Sequence, residues 1–306
     1  MKRQRGLAAV TAILVVAVAA SAATLMLAQQ SAMLDQATLV ASRAQADLYA
    51  QAGLDWARGV LAEDARSAGA VDSLDEPWAQ PIVGLPIERA VVAGAIADEQ
   101  GKYNVNNLLN GTQKSAADVE IFRRLLGALG LDPELAYAVL DWIDADGDLS
   151  GNGGAEDAYY LSLPRPYRAA NQPMVQVEEL YRVRGFDAAA VAKLRPFVTA
   201  LSGRTPVNIN TAPAEVLAAI LPEVASGKLA QFVKDRRTRP FRAKDQIATW
   251  AKESPVATVN DNLDVKSAFF SVRIQVAQDD VQLANDALVQ RGQNAVTAVV
   301  WRRPRY

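Results

Sequence analysis

Residues 7–28 form an apolar run without one charged side chain. A helix needs roughly 20 such residues to cross a bilayer. The helical texture continues beyond it. Residues 29–65 are rich in Ala, Leu, Gln and charged helix formers, with Gly53 and Gly59 as weak points. Leu34, Leu39, Leu48, Leu54 and Leu61 supply scattered apolar positions. The pattern predicts one helix from about Leu7 to about Arg66, apolar all round in its first half and amphipathic in its second. Ser67-Ala68-Gly69 is the expected end. The amphipathic half must bury its apolar side, and a sheet is the expected partner.

Residues 87–97 read as a strand with Val91, Val92 and Ile96 at apolar positions. Asp98-Glu99-Gln100-Gly101 is a turn signal, and Tyr103 to Asn106 a short returning strand. Asn110-Gly111 marks a further turn and a change of texture. From Ser115 to about Lys252 the period is mainly helical. Ile121, Leu125 and Leu129 form one stripe, and Leu135, Val139, Trp142 and Ile143 another. Further helical segments are expected at 177–183, 188–201, 214–221 and 228–237. From Ser267 the period switches to two, with Phe270, Val272, Ile274 and Val276 alternating with polar residues. Residues 283–291 and 295–302 suit two more strands. The first strands alone have too few partners to be stable. The predicted fold is therefore α+β: a long N-terminal helix packed on an antiparallel sheet, with a large α-helical insertion between strands. The expected divisions are a leader at 1–6, a transmembrane part at 7–28, helix and first strands at 29–111, the insertion at 112–262 and closing strands at 263–306.

Composition narrows the chemistry. The 306-residue chain contains neither cysteine nor histidine. Disulfides, thiolate metal sites, cysteine nucleophiles and histidine-based acid–base catalysis are therefore excluded. The net charge of −2 gives no bulk attraction to nucleic acid. The expectation is a protein that is not an enzyme.

The strongest candidate site follows the helix ending near Ile143. Six acidic residues fall between Asp141 and Asp157. Asp144, Asp146 and Asp148 have the spacing of the first three ligands of a calcium loop, and Glu156 and Asp157 can close the shell. Oxygen-only ligands select a hard cation. The loop is not a regular EF-hand, because Leu149 stands at the glycine position and Glu156 comes one residue late. Paired carboxylates also serve glycoside hydrolysis, but calcium-loop spacing accounts for more of these residues.

A second constellation runs from Pro206 through Val207-Asn208-Ile209-Asn210-Thr211-Ala212 to Leu217. It resembles the entry to helix-hairpin-helix modules of DNA-uptake proteins, and residues 177–186 look like a piece of the same kind of module. Residues 221–227 lack the paired glycines that such modules use to meet phosphate, so a packing role is favoured. A membrane-anchored DNA-binding protein of the uptake type is the alternative reading. Lys234, Arg236, Arg237 and Arg239 form a basic run expected on a solvated helix face.

Ahead of the apolar run stands Met1-Lys2-Arg3-Gln4-Arg5-Gly6. Its basic residues favour retention on the cytoplasmic side. This leader resembles that of type IV prepilins, which a membrane peptidase cuts after the glycine, here between Gly6 and Leu7, methylating the new N-terminus. Most such subunits carry Glu at the fifth mature position, where this chain has Thr11. Further matching words are 98–108, 154–160, 166–171 and 207–212. Together they make the whole chain resemble the protein K family of type II secretion, the large minor pseudopilins. The resemblance implies an inner-membrane, single-pass protein with its bulk in the periplasm. It implies a place at the pseudopilus tip with minor pseudopilins I and J and other pseudopilins. It also implies contact with the prepilin peptidase, exported substrates and the outer-membrane secretin, with no nucleic-acid partner. One or two Ca2+ ions are expected at Asp144, Asp146, Asp148, Glu156 and Asp157, with Asn171 a weaker candidate. In pilin-type fibres the missing glutamate pairs with a neighbouring subunit's amine, so an uncharged Thr11 suits a subunit with none above it.

Overall fold

The computed structural model describes residues 4–67, 71–251 and 261–305. Helix α1 spans Gln4–Ser67, in line with the predicted single helix; Met1–Arg3 and Ala68-Gly69 lie outside the described residues. Residues 7–41 are exposed. In the second half, Ala46, Ala50, Leu54, Ala57 and Leu61 recur at helical spacing and are buried against Val92, Ile96, Phe270, Val272, Ile274 and Val289. A Cβ at Gly53 would meet Ile274 at 3.3 Å, so this glycine lets helix and sheet approach closely. Fully burying a Leu, Ile, Val or Phe side chain contributes roughly 1.5–3 kcal/mol, and an Ala methyl less.

Strands β1 (Ile82–Ile87) and β2 (Ala90–Asp98) form a hairpin turning at Glu88-Arg89. The single strand expected over 87–97 is thus corrected: Ile87 ends β1, and the Gly- and Pro-interrupted residues before it form an edge strand that period-two patterning does not reveal. Strand β3 (Tyr103–Asn104) does not return to this sheet, as expected of residues 103–106, but pairs in parallel elsewhere. A small hairpin follows, β4 (Leu109–Asn110) and β5 (Gln113–Lys114). Then come α2 (Ala116–Ala128), α3 (Leu135–Ile143), α4 (Asp157–Leu161), a 3-10 turn at Val177–Arg182 and α5 (Ala188–Leu194). Next are β6 (Val198–Thr199), β7 (Val207–Asn208), α6 (Ala214–Ile220), α7 (Ser226–Asp235), α8 (Lys244–Trp250) and β8 (Leu263–Asp264). The chain closes with β9 (Phe269–Gln278), β10 (Val281–Arg291) and β11 (Thr297–Arg305). The main sheet is antiparallel in the order β1-β2-β9-β10-β11. Strands β2 and β9, adjacent in space, are separated in sequence by the entire helical block.

That block repeats one module. Strand β3 pairs in parallel with β6, and β7 with β8. Asn104 and Asn208 each accept a hydrogen bond on Oδ1 from the amide two residues on, at 3.1 and 3.0 Å. The second asparagine of each pair reaches across the module. Asn106 accepts from Met174 N and donates to Met174 O; Asn210 does the same with Phe241. The next residue is held alike: Val175 N donates to Glu179 Oε1 and Arg242 N to Gln246 Oε1, both at 2.7 Å. Leu180 and Ile247, each one residue further, are fully buried. The copies differ after their second helix. Copy one inserts residues 144–172 before Pro173; copy two has only Arg236–Arg239 before Pro240.

Candidate metal centre

The C-terminal end of α3 positions the first carboxylates. Asp141 lies on its last turn and Asp144 caps it in an extended conformation. Three residues apart, they share a helix face. The glycine-rich stretch folds back on this end: a Cβ at Gly154 would fall 2.2 Å from Asp141 Oδ2, and one at Gly153 2.1 Å from Glu134 O. Only glycine allows that approach, and it delivers Glu156. Asp141, Asp144 and Glu156 are 0, 1 and 6 % exposed, and each offers a carboxylate oxygen within 4.8 Å of the others.

These oxygens are poorly satisfied. Asp141 Oδ1 accepts from Ser150 N at 3.0 Å. Asp141 Oδ2, both oxygens of Asp144 and Glu156 Oε1 have no hydrogen-bond donor among the described residues. Lys114 Nζ stands 3.0 Å from Asp144 Oδ2 as an ion pair, off the line of a hydrogen bond. Burial pushes the carboxyls of Asp141 and Asp144 up. Glu156 is raised to about 7 by burial and by the charges of Asp141, Asp144 and Asp146. Buried carboxylates left without donors are costly unless a cation neutralises them. An all-oxygen donor set suits a hard divalent ion.

The other expected ligands lie elsewhere. Asp146 is exposed and accepts from Asp148 N and Lys114 Nζ. Asp148 is exposed on the loop. Asp157 begins α4 and accepts from Ala169 N and Arg168 Nη1, at 3.0 and 3.2 Å. Asn171 donates its backbone amide to Trp142 O. The structure brings together Asp144, Glu156 and Asp141, a residue the spacing argument did not make a ligand. Its position one turn before Asp144 on a predicted helix was the available signal. Lys114 had none, being remote in sequence.

Processing and marker residues occupy α1: Gly6 lies near its start, and Leu7 is exposed. Thr11 Oγ1 donates to Leu7 O and Ala8 O within its own helix. Arg236 corrects the solvated reading of the basic run. It is buried, and its guanidinium donates to the carbonyls of Ile209, Thr211 and Ala212, while Lys234, Arg237 and Arg239 are not buried.

A second carboxylate group, Asp64, Asp72 and Glu76, lies where α1, the sheet and the modules meet. It has an internal cation: Arg291 donates to Asp64 at 2.8 Å and to both oxygens of Asp72. Glu76 accepts from Trp78 Nε1 and Ser73 N, and burial raises its carboxyl to about 7.

An exposed N-terminal helix running into an α1–sheet body, with two helical modules between adjacent strands, defines a pilin-like protein carrying an insertion. Comparison gives the family. The model for "Type II secretion system (T2SS), protein K" matches residues 101–203, and a second model of the same description matches 207–273; the break falls between the two modules. Type II secretion system protein K of Pseudomonas aeruginosa is 34 % identical over 98 % of this chain and 92 % of its own. The Pectobacterium carotovorum protein is 31 % identical over 97 % and 95 %. In the crystal structure of the GspK-GspI-GspJ complex from enterotoxigenic Escherichia coli, one chain superposes with a TM-score of 0.75 at 26 % identity, covering 86 % of this chain and 96 % of that one. The chain belongs to the type II secretion system protein K family.

Proposed function

We propose that this chain is a minor pseudopilin at the tip of the type II secretion pseudopilus, where it joins minor pseudopilins I and J and helps initiate assembly for export. The observation that carries the reading is the placement of both modules between β2 and β9. They widen one end of a helix–sheet subunit, which suits a cap better than a repeating fibre position. The similar chain solved in a complex with two partners supports it. Helix α1 anchors the chain in the inner membrane, with the bulk in the periplasm, after cleavage between Gly6 and Leu7. Co-purification from membranes with pseudopilins I and J is the expected result; recovery of the chain alone, with an uncut N-terminus despite active prepilin peptidase, overturns the reading. At Thr11 the helix satisfies its own hydroxyl and presents no charge. Thr11→Glu is expected to impair tip assembly; unchanged secretion removes the marker.

The modules hold a divalent cation, with calcium the fitting ion. Asp141, Asp144 and Glu156 would bind it; Asp146 and Asp148 stand on the same loop, and Asp157 follows Glu156. Bound there, the ion supplies the positive charge that the converged carboxylates lack and fastens 144–156 to α3. Calcium therefore raises the melting temperature of the full chain in detergent by mass action, contributing about 2.7 kcal/mol at a hundredfold excess over Kd. Asp144→Asn removes that shift. An unchanged melting temperature at millimolar calcium overturns the site.

A further inference from the structure

Lys114 enters the acidic loop from a separate part of the chain. It closes the β4–β5 hairpin, whose turn passes through Gly111 at a φ of +64°. The next residue, Ser115, caps α2, and its hydroxyl bonds Asp118, which is paired with Arg204. The backbone at Lys114 is anchored, so what can move is the four-carbon stem. Nζ lies 3.0 Å from Asp144 Oδ2, 3.3 Å from Asp146 Oδ1 and 3.0 Å from Ser150 Oγ. Among the described residues, this ammonium is the cation paired with Asp144 and Asp146. Its placement is one-sided: it touches Asp144 and Asp146, while Asp141 Oδ2, Asp144 Oδ1 and Glu156 Oε1 have no hydrogen-bond donor among the described residues. The Lys114 charge is paired with Asp144 and Asp146, and Asp141 and Glu156 lie beside them. The side chain remains partly exposed, with a path to solvent. A lysine ammonium is a compact charge on a flexible stem, suited to approach and withdrawal.

We propose that Lys114 is a tethered competitor for the divalent cation: it holds Asp144 and Asp146 in the metal-free protein and yields Asp144 Oδ2 when metal enters. The inference rests on the metal reading of Asp141, Asp144 and Glu156. Lys114 supplies no ligand. Its charge sets the affinity, because an arriving cation meets a like charge within a few ångströms and must displace it. It also ties the metal state of the loop to the β4–β5 hairpin and the start of α2.

The test compares calcium binding by the full-length chain in detergent, measured calorimetrically, for the wild type, Lys114→Met and Lys114→Arg. Lys114→Met is expected to bind calcium about tenfold more tightly. Lys114→Arg keeps the charge and stays on the wild-type side of that difference. After chelation Lys114→Met melts below the wild type; saturated with calcium it melts no lower. If Lys114→Met requires calcium to fold, its release of calcium to a chelator is timed instead: slower release than the wild type supports the proposal, and equal or faster release overturns it. Equal Kd values for wild type and Lys114→Met overturn the role of Lys114 and leave the metal site standing. Failure of the wild type to bind calcium overturns both.

Discussion

Arg236 shows how far one side chain can depart from its surroundings in sequence. It belongs to a run of four basic residues, yet it alone is buried and satisfies three carbonyls of the second module. Arg236→Met leaves those acceptors without a donor in the interior, and a loss of about 3 kcal/mol is expected in denaturant unfolding. Arg237→Ala, on the exposed side, changes stability by less than about 0.5 kcal/mol. The candidate metal site was legible to a similar degree. Spacing pointed to the loop, and Asp144 and Glu156 do converge. It could not select among loop carboxylates, because convergence depends on the end of α3 and on the glycine contacts at 153 and 154. Those contacts turn Glu156 inward toward Asp141 and leave Asp148 in solvent.

Among the elements, the long helix and the closing strands were legible because their burial is periodic: 3.6 residues along α1, two along β9. Strand β1 was missed because its pairing is irregular and its side chains face largely outward. Strand β3 was misassigned because two residues carry no periodicity and its parallel partner lies some 95 residues away. The repeat of the helical module rests on asparagines whose meaning is tertiary. Asn106 and Asn210 each exchange two hydrogen bonds with the backbone of a distant residue, Met174 or Phe241. Asn106→Ala and Asn210→Ala are each expected to cost about 2–3 kcal/mol, since both partner groups are left unpaired. Matched losses in chemical denaturation identify the two as equivalent staples; a loss at one site only refutes the equivalence.

At the scale of the molecule, α1, the sheet and the modules meet at Arg291, which pairs with Asp64 of α1 and Asp72 and donates to Ser267 O. Glu76 lies in the same group and is held up at about 7 by burial. A carboxyl whose folded value is raised favours the folded state below its ordinary value near 4.5, and that contribution is lost as pH rises through about 7. The wild type is therefore expected to lose about 2 kcal/mol at this group between pH 5 and pH 8, and Glu76→Gln to retain it. Parallel pH profiles for both proteins contradict the assignment. The family match covers nearly the whole chain, so this junction links parts that belong to one architecture. By itself the sequence determined the membrane-length helix, the α+β order, the split sheet and the acidic loop, because each is written in local periodicity or in the spacing of neighbours. Only the tertiary structure decided which carboxylates converge, that Lys114 stands among them, that Arg236 turns inward and that the helical block is one module built twice. Those outcomes join residues from 12 to 95 positions apart, and local pattern carries no distance between them.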